Sequence, residues 1–178
     1  MEKTIAVLGA TGSVGQQALD VAESRGYRVD YMTSFARVEK MESLARKFKP
    51  RTVNMADPAA AGALKIALSD TDVKVTSGES ALLDGIAESS ADVVVNSILG
   101  GAGLLPTLAT IDSGKRLALA NKESLVMAGF EVMRRAASHN VEIIPVDSEH
   151  SAIFQCLKSG RLSEIKRILL SASGGPFF

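Results

Sequence analysis

The sequence predicts an α/β fold, a doubly wound and mostly parallel sheet with helices on both faces. Three observations carry that reading. Short β-branched runs alternate with segments of helical period along the chain. A glycine-rich turn, Gly9-Ala-Thr-Gly12-Ser-Val-Gly15, follows the first run at once. The alternation then holds to about residue 150 with no repeat, low-complexity tract or linker inside it. Strand–helix–strand alternation makes right-handed crossovers, and those lay successive strands parallel.

The elements follow in order. Thr4–Leu8 is an unbroken strand run, as expected of a strand buried on both faces. Residues 16–24 read as a helix stopped at Gly26, and 27–33 as the second strand. Val38–Phe48 places Val38, Met41, Leu44, Ala45 and Phe48 at helical spacing, and Pro50 ends it. Thr52–Met55 is a short third strand, and Asp57-Pro58 opens a helix to residue 68. Residues 73–76 form the fourth strand, 80–88 a helix, and Val93–Asn96 the fifth strand. Residues 104–113 are a helix with Pro106 in its first turn, closed by Gly114. The sixth strand is 117–120, a long helix 124–138, and the seventh strand 141–146. Residues 151–158 are a helix closed by Gly160, and 165–172 an eighth strand.

Composition excludes several function classes. With 178 residues there is chain for one domain and a fraction. Lys and Arg number 20 against 20 Asp and Glu, which argues against nucleic-acid binding. The 4% aromatic content and the lack of Trp argue against a base-stacking platform. A single cysteine, Cys156, rules out an intramolecular disulfide and a cysteine-built zinc site. No apolar run approaches the roughly 20 residues of a membrane span, and the first residues lack a signal-peptide pattern. A cytoplasmic protein with no membrane partner is expected.

The glycine-rich turn is the first chemical motif. Its glycines let a pyrophosphate approach the backbone, and the helix that follows offers free N–H groups and a positive dipole end. Set after a first strand, G-x-x-G-x-x-G predicts a Rossmann-like dinucleotide site. An NAD site usually has a carboxylate at the end of the second strand. Here that stretch reads Met32-Thr33-Ser34-Phe35-Ala36-Arg37, hydroxyls and an arginine, which suits the 2′-phosphate of NADP. The alternative is that Arg37 is a solvated surface charge. Asp30 lies too early, inside the strand.

Three further clusters fall where open α/β sheets bind ligands, at strand C-terminal ends. Asp147-Ser148-Glu149-His150 follows the seventh strand. If extended, it points both carboxylates to one side, suiting Mg²⁺ or Mn²⁺. The alternative is an N-cap for the next helix. Asn121-Lys122-Glu123-Ser124 follows the sixth strand: Lys122 is either a substrate or phosphate contact or an exposed residue at a capped helix start. Ser171-Ala-Ser173-Gly174-Gly175-Pro176 reads as a phosphate-binding nest or as a plain turn. Cys156, amid Ile153, Phe154 and Leu157, and Phe130 read as packing residues; His139 reads as a surface cap, and His150 as a group supporting the acidic pair.

Taken together, GATGSVG, VVNSILGGAGLLPTL, LALANKESLVMAG, VDSEHSAIFQ and SASGGPF occur in an order and spacing that resemble the 1-deoxy-D-xylulose 5-phosphate reductoisomerase family over Thr4 to Phe177. The resemblance implies an NADPH-dependent oxidoreductase and isomerase of non-mevalonate isoprenoid synthesis, a homodimer when whole. It implies Thr11, Gly12, Ser13 and Val14 on the pyrophosphate, and Asn121 and Glu123 against the NADPH. Lys122 and Glu149 become the catalytic pair touching a small phosphorylated sugar. Asp147 and Glu149 become ligands of Mg²⁺ or Mn²⁺, Ser148 holds a substrate hydroxyl, and Ser173 its phosphate. The family carries a small-Asn-Arg/Lys-Asn stretch where this chain has Ser34-Phe35-Ala36-Arg37, so the basic residue is displaced by one position.

The resemblance also implies a chain roughly twice this length, with a third metal carboxylate, a lid and further phosphate ligands beyond Phe178. Residues 1–149 are then expected to be the NADPH domain and 150–178 the start of an α+β catalytic domain. Such a piece should bind NADPH and turn over negligibly. Two other classes compete. A semialdehyde dehydrogenase shares the GATG-x-VG start but needs a nucleophilic loop cysteine, whereas Cys156 falls in a helical pattern. A non-catalytic NADP-binding module is the second.

Overall fold

The computed structural model describes residues 3–170. Seven parallel strands form one sheet: β1 (Thr4–Leu8), β2 (Arg28–Ser34), β3 (Thr52–Met55), β4 (Lys74–Ser77), β5 (Val93–Asn96), β6 (Arg116–Leu119) and β7 (Ile143–Pro145). Their order across the sheet is β4-β3-β2-β1-β5-β6-β7. The chain therefore starts in the middle, builds outward to β4, crosses back to β5 and builds outward the other way. The connections contain α1 (Ser13–Arg25), α2 (Val38–Phe48), α3 (Pro58–Ala67), α4 (Gly78–Glu88), α5 (Leu104–Asp112) and α6 (Glu123–Ser138), and α7 (Ser148–Lys158) follows β7. This is the expected doubly wound α/β architecture, Rossmann-like with one extra strand at the β4 edge.

The alternation of β1 shows why both faces need cover. Ile5 and Val7 join a core with Leu19, Met41, Ala45 and Leu64 from α1, α2 and α3. Ala6 and Leu8 point the other way, into a core with Tyr31, Leu82 and Ile86. Tyr31 is buried against α4 and its hydroxyl donates to the Leu82 carbonyl at 3.1 Å. Burial pushes its phenol well above the ordinary range, with Asp84 and Glu88 adding to the effect. Gly85 makes the fit possible: a Cβ there would stand 2.8 Å from Cε2 of that ring. Leu117 and Leu119 of β6 pack with Ile111, Val132 and Ala136 in a third core.

Asp30 is buried near the opposite end of β2. It accepts from the Ser90 N–H at 2.8 Å and pairs with Arg28 at 3.2 Å, so it braces the sheet and takes no part at the ligand edge.

The structure corrects three expectations. Residues 165–170 form no strand: no neighbour among the described residues offers them a ladder, and a lone β-branched run has nothing to pair with. Cys156 is exposed, because α7 buries none of its residues. Phe130 is 85% exposed for a related reason, since α6 turns Val132 and Ala136 inward. The segment from Ser171 to Pro176, including Ser173, lies outside the described residues.

Candidate active site

The strand order reverses between β1 and β5, and the loops after these strands separate there. The glycine-rich turn fills one side of the gap. Gly9 takes φ +79°, a left-handed conformation that glycine adopts without strain. Gly15 packs so tightly on the turn that a Cβ would lie 2.8 Å from the Ala10 Cα and clash with the Gly9 carbonyl. Gly12 is the N-cap of α1 and offers no side-chain cap. The first N–H groups of the helix, those of Ser13 and Val14 among them, therefore have no intrahelical acceptor. That is an anion-binding terminus.

Hydroxyls fix the turn against the neighbouring strands. The Gly9 N–H donates to Thr33 Oγ1 at 3.0 Å, and the Thr11 and Ser34 hydroxyls meet at 2.7 Å. The Ser97 hydroxyl donates to the Leu8 carbonyl at 2.6 Å. Arg37 reaches back so that Nη1 donates to the Thr11 carbonyl at 3.2 Å, which sets its guanidinium beside the cleft. The cleft has a volume of about 510 Å³, with Gly9, Thr11, Gly12, Ser34 and Arg37 on its polar side. Its other wall is mostly apolar, with Ala56, Leu82, Ile98, Leu99 and Pro106, and Phe35 also lines it; Glu79 is the one carboxylate among the lining residues. The glycine cradle, uncapped terminus, hydroxyl floor and guanidinium fit a phosphorylated dinucleotide. Sequence reasoning missed Phe35 and Ser97; an aromatic directly after a strand that ends in hydroxyls was the available signal for the first.

The second cluster is at the ends of β6 and β7. Asn121 is 1% exposed and all its polar atoms face protein. Its amide donates to the Ile98 carbonyl at 2.6 Å and the Gly100 carbonyl at 2.8 Å, and its oxygen accepts from the N–H and hydroxyl of Ser124. It thus caps α6 and ties down the loop after β5. Asn96 secures the same loop, donating to Gly103 O and Thr107 Oγ1, each at 2.9 Å. Lys122 is exposed at the start of α6, and half-buried Glu123 follows in its first turn.

Asp147 is the N-cap of α7. Its carboxylate accepts from the His150 N–H at 3.0 Å and meets the His150 ring at 2.7 Å. The helix begins at Ser148, three residues earlier than expected, so Asp147 and Glu149 do not share an extended segment. The capping bonds win, because they satisfy donors that an extended chain would leave to water. The two carboxylates still sense each other. The Ser148 hydroxyl, which donates at 2.8 Å, and the helix backbone hold the Glu149 carboxyl below its usual range, with Lys122 helping and Asp147 opposing. For Asp147, partial burial pushes upward, but the His150 bonds and the Lys122 charge outweigh it. Lys122, Asp147 and His150 line one groove of about 240 Å³ floored by Leu119, Leu125 and Ile153. Ser148 and Glu149 border a second hollow of about 440 Å³ with Cys156 and Arg167.

The donor set fits a hard divalent cation in kind and falls short in number. Two carboxylates are present, and no cluster of three His, Cys, Asp or Glu forms among the described residues. His139 is a surface cap as expected, its ring 3.1 Å from the Arg135 carbonyl.

The family model described as 1-deoxy-D-xylulose 5-phosphate reductoisomerase matches residues 5–129. The chain belongs to the 1-deoxy-D-xylulose 5-phosphate reductoisomerase family. The model for that reductoisomerase's C-terminal domain matches residues 143–178. A reductoisomerase of Rhodopseudomonas palustris (strain TIE-1) is 48% identical over 177 residues, covering 98% of this chain and 43% of the relative. The chain therefore spans less than half the length of that relative. The reductoisomerase of Zymomonas mobilis in complex with NADPH superposes with a TM-score of 0.84 at 41% identity, covering 88% of this chain and 42% of the other. A reductoisomerase in complex with NADPH, fosmidomycin and magnesium gives 0.83 at 42% identity, covering 87% and 39%.

Proposed function

We propose that this chain is the cofactor-binding portion of an NADPH-dependent 1-deoxy-D-xylulose 5-phosphate reductoisomerase, with residues 1–149 as the nucleotide domain and 150–178 opening the catalytic one. The observation that carries this is the convergence, on one sheet edge, of the dinucleotide cleft and the Lys122–Asp147–Glu149 cluster. The relatives with NADPH and magnesium support it.

In this reading the N–H groups of Ser13 and Val14, with Thr11 and Gly12, receive the pyrophosphate, and Arg37 receives the 2′-phosphate. Asn121 acts by holding the Ile98–Gly100 loop, where the cofactor passes from one half-site to the other. Glu123 lies alongside. Lys122 presents an ammonium to an oxygen of the sugar substrate, and Ser148 a hydroxyl to another. Asp147 and Glu149 would hold Mg²⁺ or Mn²⁺, with the rest of the shell coming from water, substrate or residues elsewhere. Bound NADPH supplies hydride to an aldehyde; a divalent ion supplies Lewis acidity toward a hydroxy-ketone. The net change is rearrangement of the sugar phosphate to a branched aldehyde and its reduction to 2-C-methyl-D-erythritol 4-phosphate. Ser173 is assigned to the substrate phosphate. We place the whole enzyme in the cytoplasm as a homodimer.

Calorimetry of the 178-residue chain tests the first step. NADPH should bind at least tenfold more tightly than NADH, because an arginine–phosphate pair contributes about 1.5–3 kcal/mol. Equal affinities would remove Arg37 from the 2′-phosphate.

A further inference from the structure

We propose that Phe35 is the stacking face for the adenine ring, and that it and Arg37 divide the adenosine end of the dinucleotide between them. This rests on the NADPH reading above and adds a residue that reading does not use.

Phe35 is 75% exposed, yet its backbone is held. Its carbonyl accepts from the Asp57 N–H at 3.0 Å, and the Ser34 carbonyl accepts from the Ala56 N–H at 2.9 Å. The ring therefore stands in water on a turn fastened to the end of β3. It also lines the cleft, together with Ala56, Leu82, Ile98 and Pro106.

The position follows from the sheet. A pyrophosphate at the start of α1 leaves β1 and β2 as neighbours, so the adenosine half extends over the end of β2. The last residues of β2, Thr33 and Ser34, are already tied to the glycine turn by their hydroxyls. Phe35 is the first residue past them. A base has a π face whatever its edge carries, and stacking on an aromatic ring contributes about 1–3 kcal/mol. Arg37, two residues on, is fixed by the Thr11 carbonyl and supplies the charge that stacking cannot. One short turn thus offers an apolar face to the base and a cation to the 2′-phosphate.

The chain has no tryptophan and two tyrosines, so Phe35→Trp introduces a single tryptophan whose emission can be excited apart from theirs. Its emission should be quenched on titration with 2′,5′-ADP, with affinity close to wild type. In calorimetry Phe35→Ala should weaken NADPH and NADH by the same factor, about tenfold, while the melting temperature stays within a degree or two of wild type. Arg37→Ala should instead weaken NADPH alone. If Phe35→Ala leaves nucleotide affinity within twofold, or 2′,5′-ADP leaves the introduced tryptophan unquenched, the assignment of Phe35 is wrong. A wild-type chain that binds no NADPH at all would overturn the underlying cofactor reading as well.

Discussion

At the residue scale, what a glycine lacks is as informative as what a charge supplies. Gly15 lies in a helix, where alanine normally has the advantage by up to about 1 kcal/mol. Here a methyl group would press on Ala10 Cα and the Gly9 carbonyl, backbone atoms that cannot swing aside. Gly15→Ala should therefore destabilise the chain by about 1–3 kcal/mol, the usual range for overpacking, and weaken NADPH more than tenfold. A thermal melt with a nucleotide titration checks both. Arg37→Ala should cost about tenfold in NADPH affinity and nothing for NADH, so the ratio of the two constants isolates the phosphate contact from general damage. The glycine spacing was legible because a local turn needs local residues. Asn121 was not: its motif marked it as functional, but that its amide is spent on the Ile98 and Gly100 carbonyls depends on a loop more than twenty residues away.

At the element scale, strand and helix positions followed from period, and the errors arose where pairing or capping decided. The run 165–170 has strand composition but finds no partner among the described residues, so it stays outside the sheet. The Asp147 cap moved the start of α7 back to Ser148 and changed the mutual geometry of the candidate metal ligands. The long helix α6 bends at Ala128, where φ is −146°. Its first turn is held by Asn121 and its second half packs on β6, two fixed attachments, with Gly129 beside the bend to ease it. Past the bend, Glu131 accepts from Arg134 at 2.7 Å and from Arg135 at 2.7 Å, and Arg135 also pairs with Asp112 of α5. Those hydrogen bonds lower the Glu131 carboxyl from an ordinary 4.5 to about 2. A depressed carboxyl stabilises the fold above its unfolded value and loses that contribution as pH falls from about 4.5 through about 2. The melting temperatures of wild type and Glu131→Gln should thus differ at neutral pH and converge toward pH 2. The network is open to solvent, so the gap should be small and narrow further at high salt.

At the scale of the whole molecule, the two clusters differ in how complete they are. The cleft takes its polar side from β2 and the loops after β1, β2 and β5, and part of its apolar wall from α4, α5 and the loop after β3. Its hydroxyls, glycines and guanidinium are already bonded into place. A site organised before binding gives up little entropy when the ligand arrives. The acidic cluster has two carboxylates, each partly engaged by His150 or Ser148, and both face open hollows. Catalysis of a carbon-skeleton rearrangement needs charge-stabilising groups fixed around a site that excludes water. Binding and turnover should therefore separate in this chain. NADPH at a hundred times its dissociation constant should stabilise the fold by about 2.7 kcal/mol and raise the melting temperature by roughly 5–10 °C. Under the same conditions, 1-deoxy-D-xylulose 5-phosphate with Mg²⁺ or Mn²⁺ should leave NADPH absorbance at its background rate of decay. Metal-dependent NADPH oxidation well above background would show that Lys122, Asp147 and Glu149 already suffice for the chemistry. A chain whose melting temperature ignores NADPH would show that the cleft is not the cofactor site.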